Sequence, residues 1–422
     1  MGHSVESRSA VARRAWLLGF LVAATYAAIQ LTAGSQWSLY PDSYRYARAA
    51  EQFNGKSRAD AHHDALDAFC TTRANAARAT ARLSPVPGAP VPAGTMTAQQ
   101  CLARWADAPD ITTADPRYQA IFSSRPGYPL LAAPFIRVLG VSRGMWVLGL
   151  LTATGGSLLV VGLLRSAGLP PVPAVCGQLV FLATPLAQWS LQALSEGLVT
   201  LCVLGTIWGA VLLTRRQPVA GTPLLAVSLA ACAVTRYSMA LALAALTAAA
   251  AVGVWCGMRE LRHRWTALLA VLSAVAAAVT AVVMSALALP SATTTLQDTF
   301  TKHFARPDVL DPWQRLADLD ARYWMYWIGA QAHSPTFLVP TVVAAWVLYR
   351  CGRELGWFAL AAAVTGGLQV AAHPLVQEAD RLGALMWMPT VLGLPLLVVR
   401  LRRNGRRLAS DDAADALTVG RH

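Results

Sequence analysis

Long uncharged apolar runs, separated by short polar turns, are the dominant pattern along the chain. Most runs hold about 18 to 25 residues, the length that one helix needs to cross a hydrocarbon core of roughly 30 Å. They cover residues 15–33, 144–164, 172–191, 197–214, 218–235, 237–256, 265–289, 335–349, 355–372 and 382–399. The pattern predicts an all-α polytopic membrane protein with about ten transmembrane helices.

The composition excludes a soluble protein. Of the 422 residues, 55% are hydrophobic and 14% are charged, whereas soluble domains average about 25% charged residues. The formal net charge of +13 would favour a nucleic-acid partner in a soluble protein. Here the basic residues cluster between apolar runs, where the preference for positive charge in cytoplasmic loops already accounts for them. We therefore expect membrane lipids, and no nucleic acid, as partners.

The positions of the arginines predict which turns face the cytoplasm. If the run 144–164 enters from outside, every second turn carries arginine and all of these turns lie on one side. They fall at residues 165, 215–216, 259–264, 350–353 and 400–407. By the positive-inside rule this side is the cytoplasm, together with both termini. The run 15–33 is then a retained span, since no small-residue cleavage site clearly follows it.

Two shorter apolar segments are predicted not to cross. Residues 128–138 form an apolar stretch of about 11 residues with two prolines, which favours a re-entrant or interfacial helix in the outer leaflet. The alternative, a thin crossing with Arg137 and Arg143 inside, would invert the topology of everything downstream. Residues 324–330 predict an additional interfacial turn.

The runs divide the chain into six parts. These are the cytoplasmic N-terminus with the first span (1–33), an extracytoplasmic loop with interfacial or re-entrant helices (34–143), a central transmembrane bundle (144–289), a second extracytoplasmic loop (290–334), C-terminal spans (335–400) and a cytoplasmic tail (401–422). The segment 34–124 is too long for a linker, so we expect a folded, largely helical insertion. It contains Cys70 and Cys101, which an oxidising compartment would allow to form a disulfide; two buried thiols are the alternative.

Charged residues at span ends gather on the predicted outer face. They are Asp42, Arg125, Glu196 and Arg236, with the group His373, Glu378, Asp380 and Arg381. Charges at membrane depth mark function by default, although each one alone can cap a helix or extend to the head groups. Arg236 is distinctive because the segment 218–256 contains no other charged residue.

The segment directly after the first span resembles the signature of a known enzyme family. Residues 40–47 read Y-P-D-S-Y-R-Y-A, which is similar to the D-[SG]-x-x-Y motif of GT-C-type glycosyltransferases. Further matches follow in chain order: R-P-G-Y-P-L from Arg125, A-L-S-E ending at Glu196, T-R-Y around Arg236, and Asp380-Arg381 followed by Pro389. The resemblance covers nearly the whole chain. One departure is that Asp42 stands beside Ser43, where many relatives carry a pair of acidic residues.

The resemblance implies a GT-C-like fold and an enzyme that uses a sugar linked to a polyprenyl phosphate. The family includes protein O-mannosyltransferases, aminoarabinose transferases and actinobacterial cell-wall arabinosyl- and mannosyltransferases. It implies that Asp42 is catalytic and that substrate is bound by Arg125, Tyr128, Glu196, Arg236 and Arg381. The expected acceptor is a glycan, a lipid or a protein. The bias toward Ala, Arg and Val suits a high-GC bacterium, with the site outside its plasma membrane.

The chemistry of such a donor is consistent with these residue types. A phosphate ester leaves without help from a general acid, so a single base suffices, and direct displacement inverts the anomeric carbon. Asp42 would be that base, and Arg236 and Arg381 would hold the phosphate through their guanidinium forks. The alternative role for Asp42 is the N-cap of a helix beginning at Tyr44.

No cofactor is expected, and a divalent metal bound by Asp42 and Glu196 is the alternative. The competing function is a membrane transporter or flippase for a lipid-linked or small polar substrate. Such proteins usually contain internal repeats and broken or charged helices at the bilayer midplane. The sequence contains no convincing repeat, and its charges lie at the outer ends of the runs.

Overall fold

The computed structural model describes residues 2–33, 37–83 and 95–401. Every regular element within these ranges is a helix. Seven of the helices are long and apolar enough to cross a membrane, and the number is up to nine if each of two bent pairs forms one span. The predicted all-α, multi-pass architecture is confirmed at this level. Most of the predicted tail, 402–422, lies outside the described residues.

The helices are numbered in chain order. They are α1 (Gly2–Ala33), α2 (Pro41–Phe53), α3 (Arg58–Arg82), α4 (Ala98–Trp105), α5 (Pro116–Ser123), α6 (Gly127–Leu139), α7 (Val141–Ser166), α8 (Pro171–Leu182), α9 (Pro185–Leu191), α10 (Ser195–Thr214), α11 (Pro218–Gly257), α12 (Arg264–Ala286), α13 (Ala292–Phe300), α14 (Pro312–His333), α15 (Leu338–Cys351), α16 (Arg353–Ala372), α17 (Ala379–Leu382) and α18 (388–401).

Helix α10 lies at the centre of the bundle. Its most apolar window is 83% buried, against 17% for α12, so α10 is surrounded by protein and α12 lies at the periphery. Close approach between α10 and α11 depends on glycine: a Cβ at Gly209 would lie 2.8 Å from the backbone nitrogen of Leu225. The two helices therefore pack almost backbone to backbone, which makes the centre of the bundle dense.

Helix α11 has a break at Arg236, the residue that separates two of the predicted runs. Arg236 has φ −152° and ψ 87°, outside the helical region. A straight helix of 40 residues would extend about 60 Å. Instead, the residues flanking α11 meet at one end of the molecule, where His263 Nε2 lies 3.0 Å from the Thr214 carbonyl oxygen. The two halves of α11 therefore run in opposite directions.

Two predicted spans are bent. The run 172–191 is divided into α8 and α9, which meet at 61°. The cause is local: Pro185 lacks an N–H for the helical ladder and disfavours helical geometry at Thr184, which is extended (φ −103°, ψ 164°). The run 335–349 corresponds to α15, which meets α14 at 93°. The predicted interfacial turn at 324–330 is part of α14, which is 22 residues long.

Helix α6 matches the segment predicted not to cross. Its 13 residues extend about 20 Å, less than a hydrocarbon core of roughly 30 Å. It packs against α2 through Asn54, whose amide donates to the Ala133 carbonyl at 2.9 Å. The segment is therefore held by the first loop and by the start of α7.

The first loop folds as a helical unit around its own core. Tyr44, Leu66 and Tyr128 are almost fully buried in it. Cys70 on α3 and Cys101 on α4 form a disulfide, with their Cα atoms 5.6 Å apart. This bond joins α3 to α4. Because α2 packs against α3, the disulfide also helps to hold α2 in position.

Candidate functional site

The ends of α2, α10 and α17 meet at the break in α11 and bring charged residues together. Asp42 lies in the first turn of α2, and Glu196 lies in the first turn of α10. Arg236 occupies the break, and Arg381 projects from α17. These four residues come from sequence positions up to 339 apart, and together with Glu378 we call them the ionic cluster.

Arg381 is the centre of the ionic cluster. Its Nη1 lies 3.1 Å from Asp42 Oδ2, its Nη2 lies 2.5 Å from Glu378 Oε2, and its Nε lies 3.5 Å from Glu196 Oε1. Burial opposes the charge of Arg381, but the carboxylates of Glu196, Asp42 and Glu378 outweigh it and raise the pKa of the guanidinium. Arg381 therefore stays cationic at every accessible pH.

Glu196 connects Arg381 to Arg236. Its Oε1 lies 3.1 Å from Arg236 Nη1, and its position in the first turn of α10 places the carboxylate at the positive end of the helix dipole. The side-chain oxygen of Gln369 accepts from the same Arg236 nitrogen at 3.2 Å when its amide is suitably oriented. Arg236 Nε is buried and has no hydrogen-bond partner within the part of the chain that the structure describes. This nitrogen of Arg236 is therefore an unsatisfied donor that is closed to solvent.

Asp42 and Glu378 are the two more accessible carboxylates that contact Arg381. Their side chains are 30% and 33% exposed, against 12% for Glu196. The helix that carries Asp42 begins at Pro41, with Tyr40 at the cap position. The alternative interpretation of Asp42 as the N-cap of a helix starting at Tyr44 is therefore wrong. Proline is favoured in the first turn of a helix, and Pro41 starts α2 three residues before Tyr44.

A second, buried ion pair fixes the start of α2. Arg45 Nη2 lies 2.7 Å from Asp110 Oδ1, and the two side chains are 1% and 0% exposed. Arg45 Nη1 donates to the Pro41 carbonyl at 3.0 Å, and the rings of Tyr118 and Phe122 each lie 4.7 Å from the guanidinium. This arrangement holds the backbone next to Asp42. Sequence reasoning did not find Asp110, because its loop carries no motif and several other acidic residues.

Arg125 lies near the ionic cluster but remains outside its ion pairs. Within the described residues its side chain forms no ion pair or hydrogen bond, and it is only partly buried. A Cβ at Gly127 would lie 2.9 Å from the backbone nitrogen of Thr235, so the segment that carries Arg125 passes close to Arg236. Arg125 therefore provides a positive charge near the cluster that is not ion-paired within the described residues.

Tyr128 is located beneath the site and does not face it. It is 1% exposed, and its ring centroid lies 5.2 Å from that of Tyr46. The hydroxyl of Tyr46 in turn donates to Ser195 Oγ at 3.4 Å. Tyr128 thus supports Tyr46 by packing, and its role in substrate binding stays a prediction.

An apolar groove leads away from the cluster along the bundle. It has a volume of about 710 Å³ and lies between the two halves of α11 and α12. Its walls are aliphatic, and its outer end is formed by Ser123, Ser124, Pro126 and Tyr237. These residues are chain neighbours of Arg125 and Arg236. A long apolar chain in this groove would bring its polar end to the segments that carry the two arginines.

The arrangement places arginines next to accessible carboxylates. Three carboxylates and two arginines of the ionic cluster leave one negative charge, and the nearby Arg125 brings the sum to zero. The cation between Asp42 and Glu196 is the Arg381 guanidinium. Across the described ranges, no group of three or more His, Cys, Asp or Glu residues is arranged to hold a metal ion.

Comparisons of the chain with protein-family models, with curated proteins and with solved structures found no match. The fold and the site therefore define only the broad class of the protein. The chain is a multi-pass helical membrane protein that carries an ionic cluster at one end of its bundle.

Proposed function

We propose that this protein is an integral-membrane inverting glycosyltransferase. It would move a sugar from a polyprenyl-phosphate donor to a hydroxyl of an extracytoplasmic glycan, lipid or protein. The observation that carries the proposal is the convergence of Asp42, Arg236 and Arg381 in one ionic cluster, next to the segment around Tyr237 that lines an apolar groove. A scaffold without chemistry would have no need to bring these residues together at that point.

The proposed topology has ten spans. Counting the two halves of α11 separately and each bent pair as one span raises seven helices to ten. The turns at the end away from the ionic cluster carry the arginines, including Arg215, which pairs with Glu354 at 3.0 Å. The positive-inside rule assigns that end to the cytoplasm. The ionic cluster would then lie outside a bacterial plasma membrane.

The proposed donor position follows from the charges that remain available. Arg236 and Arg381 were the expected phosphate ligands, yet both already contact carboxylates. Arg125 has no such partner among the described residues, and its chain neighbours Ser124 and Pro126 line the groove. We therefore assign the main phosphate contact to Arg125, with the positive charge of Arg236 assisting. The polyprenyl chain would fill the groove between α11 and α12.

The proposed reaction is a single displacement. Asp42 accepts the proton of the acceptor hydroxyl while that oxygen forms a bond to the anomeric carbon. The bond from the anomeric carbon to the phosphate oxygen breaks, and its electron pair stays on the phosphate. The arginines stabilise the charge that develops there. Arg381 holds the Asp42 carboxylate in a fixed orientation, as the 3.1 Å contact indicates.

The competing function, a transporter or flippase, needs the groove but not the carboxylate. The proposal is tested by purifying the full chain in lipid nanodiscs and supplying polyprenyl-phosphate sugars with candidate acceptors. Asp42→Asn should lower turnover by about 10²-fold or more while donor binding persists, since general bases contribute roughly 10² to 10⁴. The matched control is Asp318→Asn, because Asp318 is exposed on α14. Wild-type turnover in the Asp42→Asn variant would show that Asp42 is not the general base.

A further inference from the structure

A second cavity lies at the other end of α2, away from the ionic cluster. It has a volume of about 560 Å³ and is formed by the end of α2, one face of α3 and the corner between α6 and α7. Asp42 and Glu51 are nine positions apart on α2, which corresponds to about 14 Å along the helix. This cavity is therefore separate from the site described above.

One wall of the cavity is basic. Arg137 and Arg143 line it from either side of the corner at Gly140. Both arginines are exposed, and in the described part of the chain neither forms an ion pair. The corner is tight because Gly140 has φ 76°, a conformation that glycine adopts without strain. Two unneutralised guanidinium groups from one corner favour a phosphate ligand.

The opposite wall is acidic. Asp64, Asp67 and Thr71 are three and four residues apart on α3, so they lie on the same face of the helix. Lys56 contacts Asp64 at 2.5 Å and Glu51 at 3.0 Å. Asp67 has no ion-pair partner within the described residues and is exposed. Asp67 thus provides a negative charge across the cavity from the two arginines.

The cavity lies where the chain enters the bundle. Val138 is 79% exposed beside it, and α7, a candidate membrane span, begins at Val141. Exposed apolar residues next to the start of a span are typical of the boundary between hydrocarbon and head groups. A ligand in the cavity would therefore be at the depth of lipid head groups.

We propose that this cavity binds the head group of a zwitterionic phospholipid with a primary amine, the phosphatidylethanolamine class. The phosphodiester contacts Arg137 and Arg143, and the ammonium contacts Asp67. The acyl chains leave past Val138 along α7. The presence of both charges in the lining of one cavity fits this head group and not an anionic lipid, for which Asp67 would be repulsive. The proposal is independent of the proposed glycosyl transfer.

The test is native mass spectrometry of the full-length protein with defined lipids. Wild-type protein should bind phosphatidylethanolamine at least about tenfold more tightly than phosphatidylglycerol of the same chain length. Arg137→Gln combined with Arg143→Gln should lower affinity for phosphatidylethanolamine about tenfold or more, because charge-assisted hydrogen bonds are lost. Arg322→Gln is the matched control, since Arg322 is an exposed arginine on α14.

Two further measurements test the ammonium contact separately from the phosphate contacts. Asp67→Asn should reduce phosphatidylethanolamine binding and leave phosphatidylglycerol binding unchanged or higher, and this exposed substitution does not threaten the fold. Soluble phosphoethanolamine should displace the lipid more effectively than inorganic phosphate does. Equal wild-type affinity for the two lipids, or unchanged binding in both the double variant and Asp67→Asn, would overturn the proposal. Equal displacement by inorganic phosphate would overturn the ammonium contact.

Discussion

Arg381 contacts three carboxylates, and this sharing explains how Asp42 can be both accessible and fixed. Asp42 Oδ2 lies 3.1 Å from Arg381 Nη1, and Asp42 Oδ1 lies 3.9 Å from Arg45 Nη1, so guanidinium groups hold both oxygens while the side chain stays 30% exposed. Burial raises the pKa of Glu378, against the opposing charge of Arg381. Protonation of Glu378 would remove one competitor for Arg381 and strengthen its contact with Asp42.

At the residue scale, Arg125 should contribute to donor binding alone, whereas Arg236 should contribute both to donor binding and to the stability of the fold. Arg125→Ala should weaken donor binding about tenfold or more, because a phosphate contact is lost in ground and transition states alike. It should change the free energy of unfolding by less than about 0.5 kcal/mol, as is usual for partly exposed side chains without partners. Donor titration and thermal unfolding of the purified variant measure the two effects.

Arg236→Ala should lower stability as well as donor affinity. It leaves Glu196, which is 12% exposed, without one of its two partners, at a cost of about 2 kcal/mol. Arg236→Lys is the control that retains the charge and should recover part of the stability. Equal stability of Arg236→Ala and the wild type would contradict the pairing.

The sequence located the cluster residues because each is a charge at the end of an uncharged run. It could not reveal how they pair, since Arg236 and Glu196 are 40 positions apart and Arg381 and Asp42 are 339 apart. For that reason the sequence alone predicts that Arg236 and Arg381 bind the phosphate. The partners became known only through the packing of α2, α10, α11 and α17 at one place.

At the scale of elements, the buried pair of Arg45 and Asp110 determines where α2 begins. Asp110→Ala should destabilise the first loop by about 3 to 5 kcal/mol, because it leaves Arg45 buried and unpaired. Replacing both residues by apolar ones, Arg45→Met with Asp110→Leu, should recover only the part of that loss due to Arg45, because Asp110 also contacts Arg48, Gln119 and the Thr112 N–H. Thermal unfolding of the single and double variants gives the comparison. An additive loss in the double variant would show that the two charges do not act as a pair.

The disulfide between α3 and α4 should stabilise the same unit. It joins cysteines 31 positions apart, for which loop closure predicts about 3 to 4 kcal/mol. Cys70→Ser with Cys101→Ser should therefore lower the unfolding temperature of the first loop. Hydrogen exchange at α3 and α4 reports this effect directly, and unchanged protection would contradict it.

Helix bounds were predictable where one physical signal dominates. Arg236 divides two uncharged runs, and the structure has a break at that residue. The bend between α8 and α9 was missed because apolar residues continue through it, although Pro185 was a local signal. The long helix α14 was missed because it mixes charged and aromatic residues, and short-range patterns do not determine its ends.

At the scale of the whole molecule, the ionic cluster and the arginine-bearing turns lie at opposite ends of the bundle. Arg259→Cys should be reactive only from the cytoplasm, and Asp318→Cys only from outside, in a Cys256→Ser, Cys351→Ser background. A membrane-impermeant maleimide applied to intact cells measures this difference. Labelling of Arg259→Cys from outside would invert the proposed topology.

The fold class was predictable because hydropathy reflects a constraint that applies to the whole chain: backbone polar groups in lipid must be paired within helices. The number of spans was less certain, since the helices include breaks and bends. The proposed chemistry depends on where the breaks bring charged residues together, and hydropathy contains no information about that arrangement.

The most direct test of the central claim is the anomeric configuration of the product. The purified wild-type protein, with a polyprenyl-phosphate sugar of known configuration and a suitable acceptor, should give a glycoside of the opposite configuration. Magnetic resonance of the product's anomeric proton measures it. Inversion is the predicted result, because the proposed reaction is one displacement with Asp42 as the base. A product with retained configuration, or intact donor carried across the bilayer without any sugar transfer, would contradict the account.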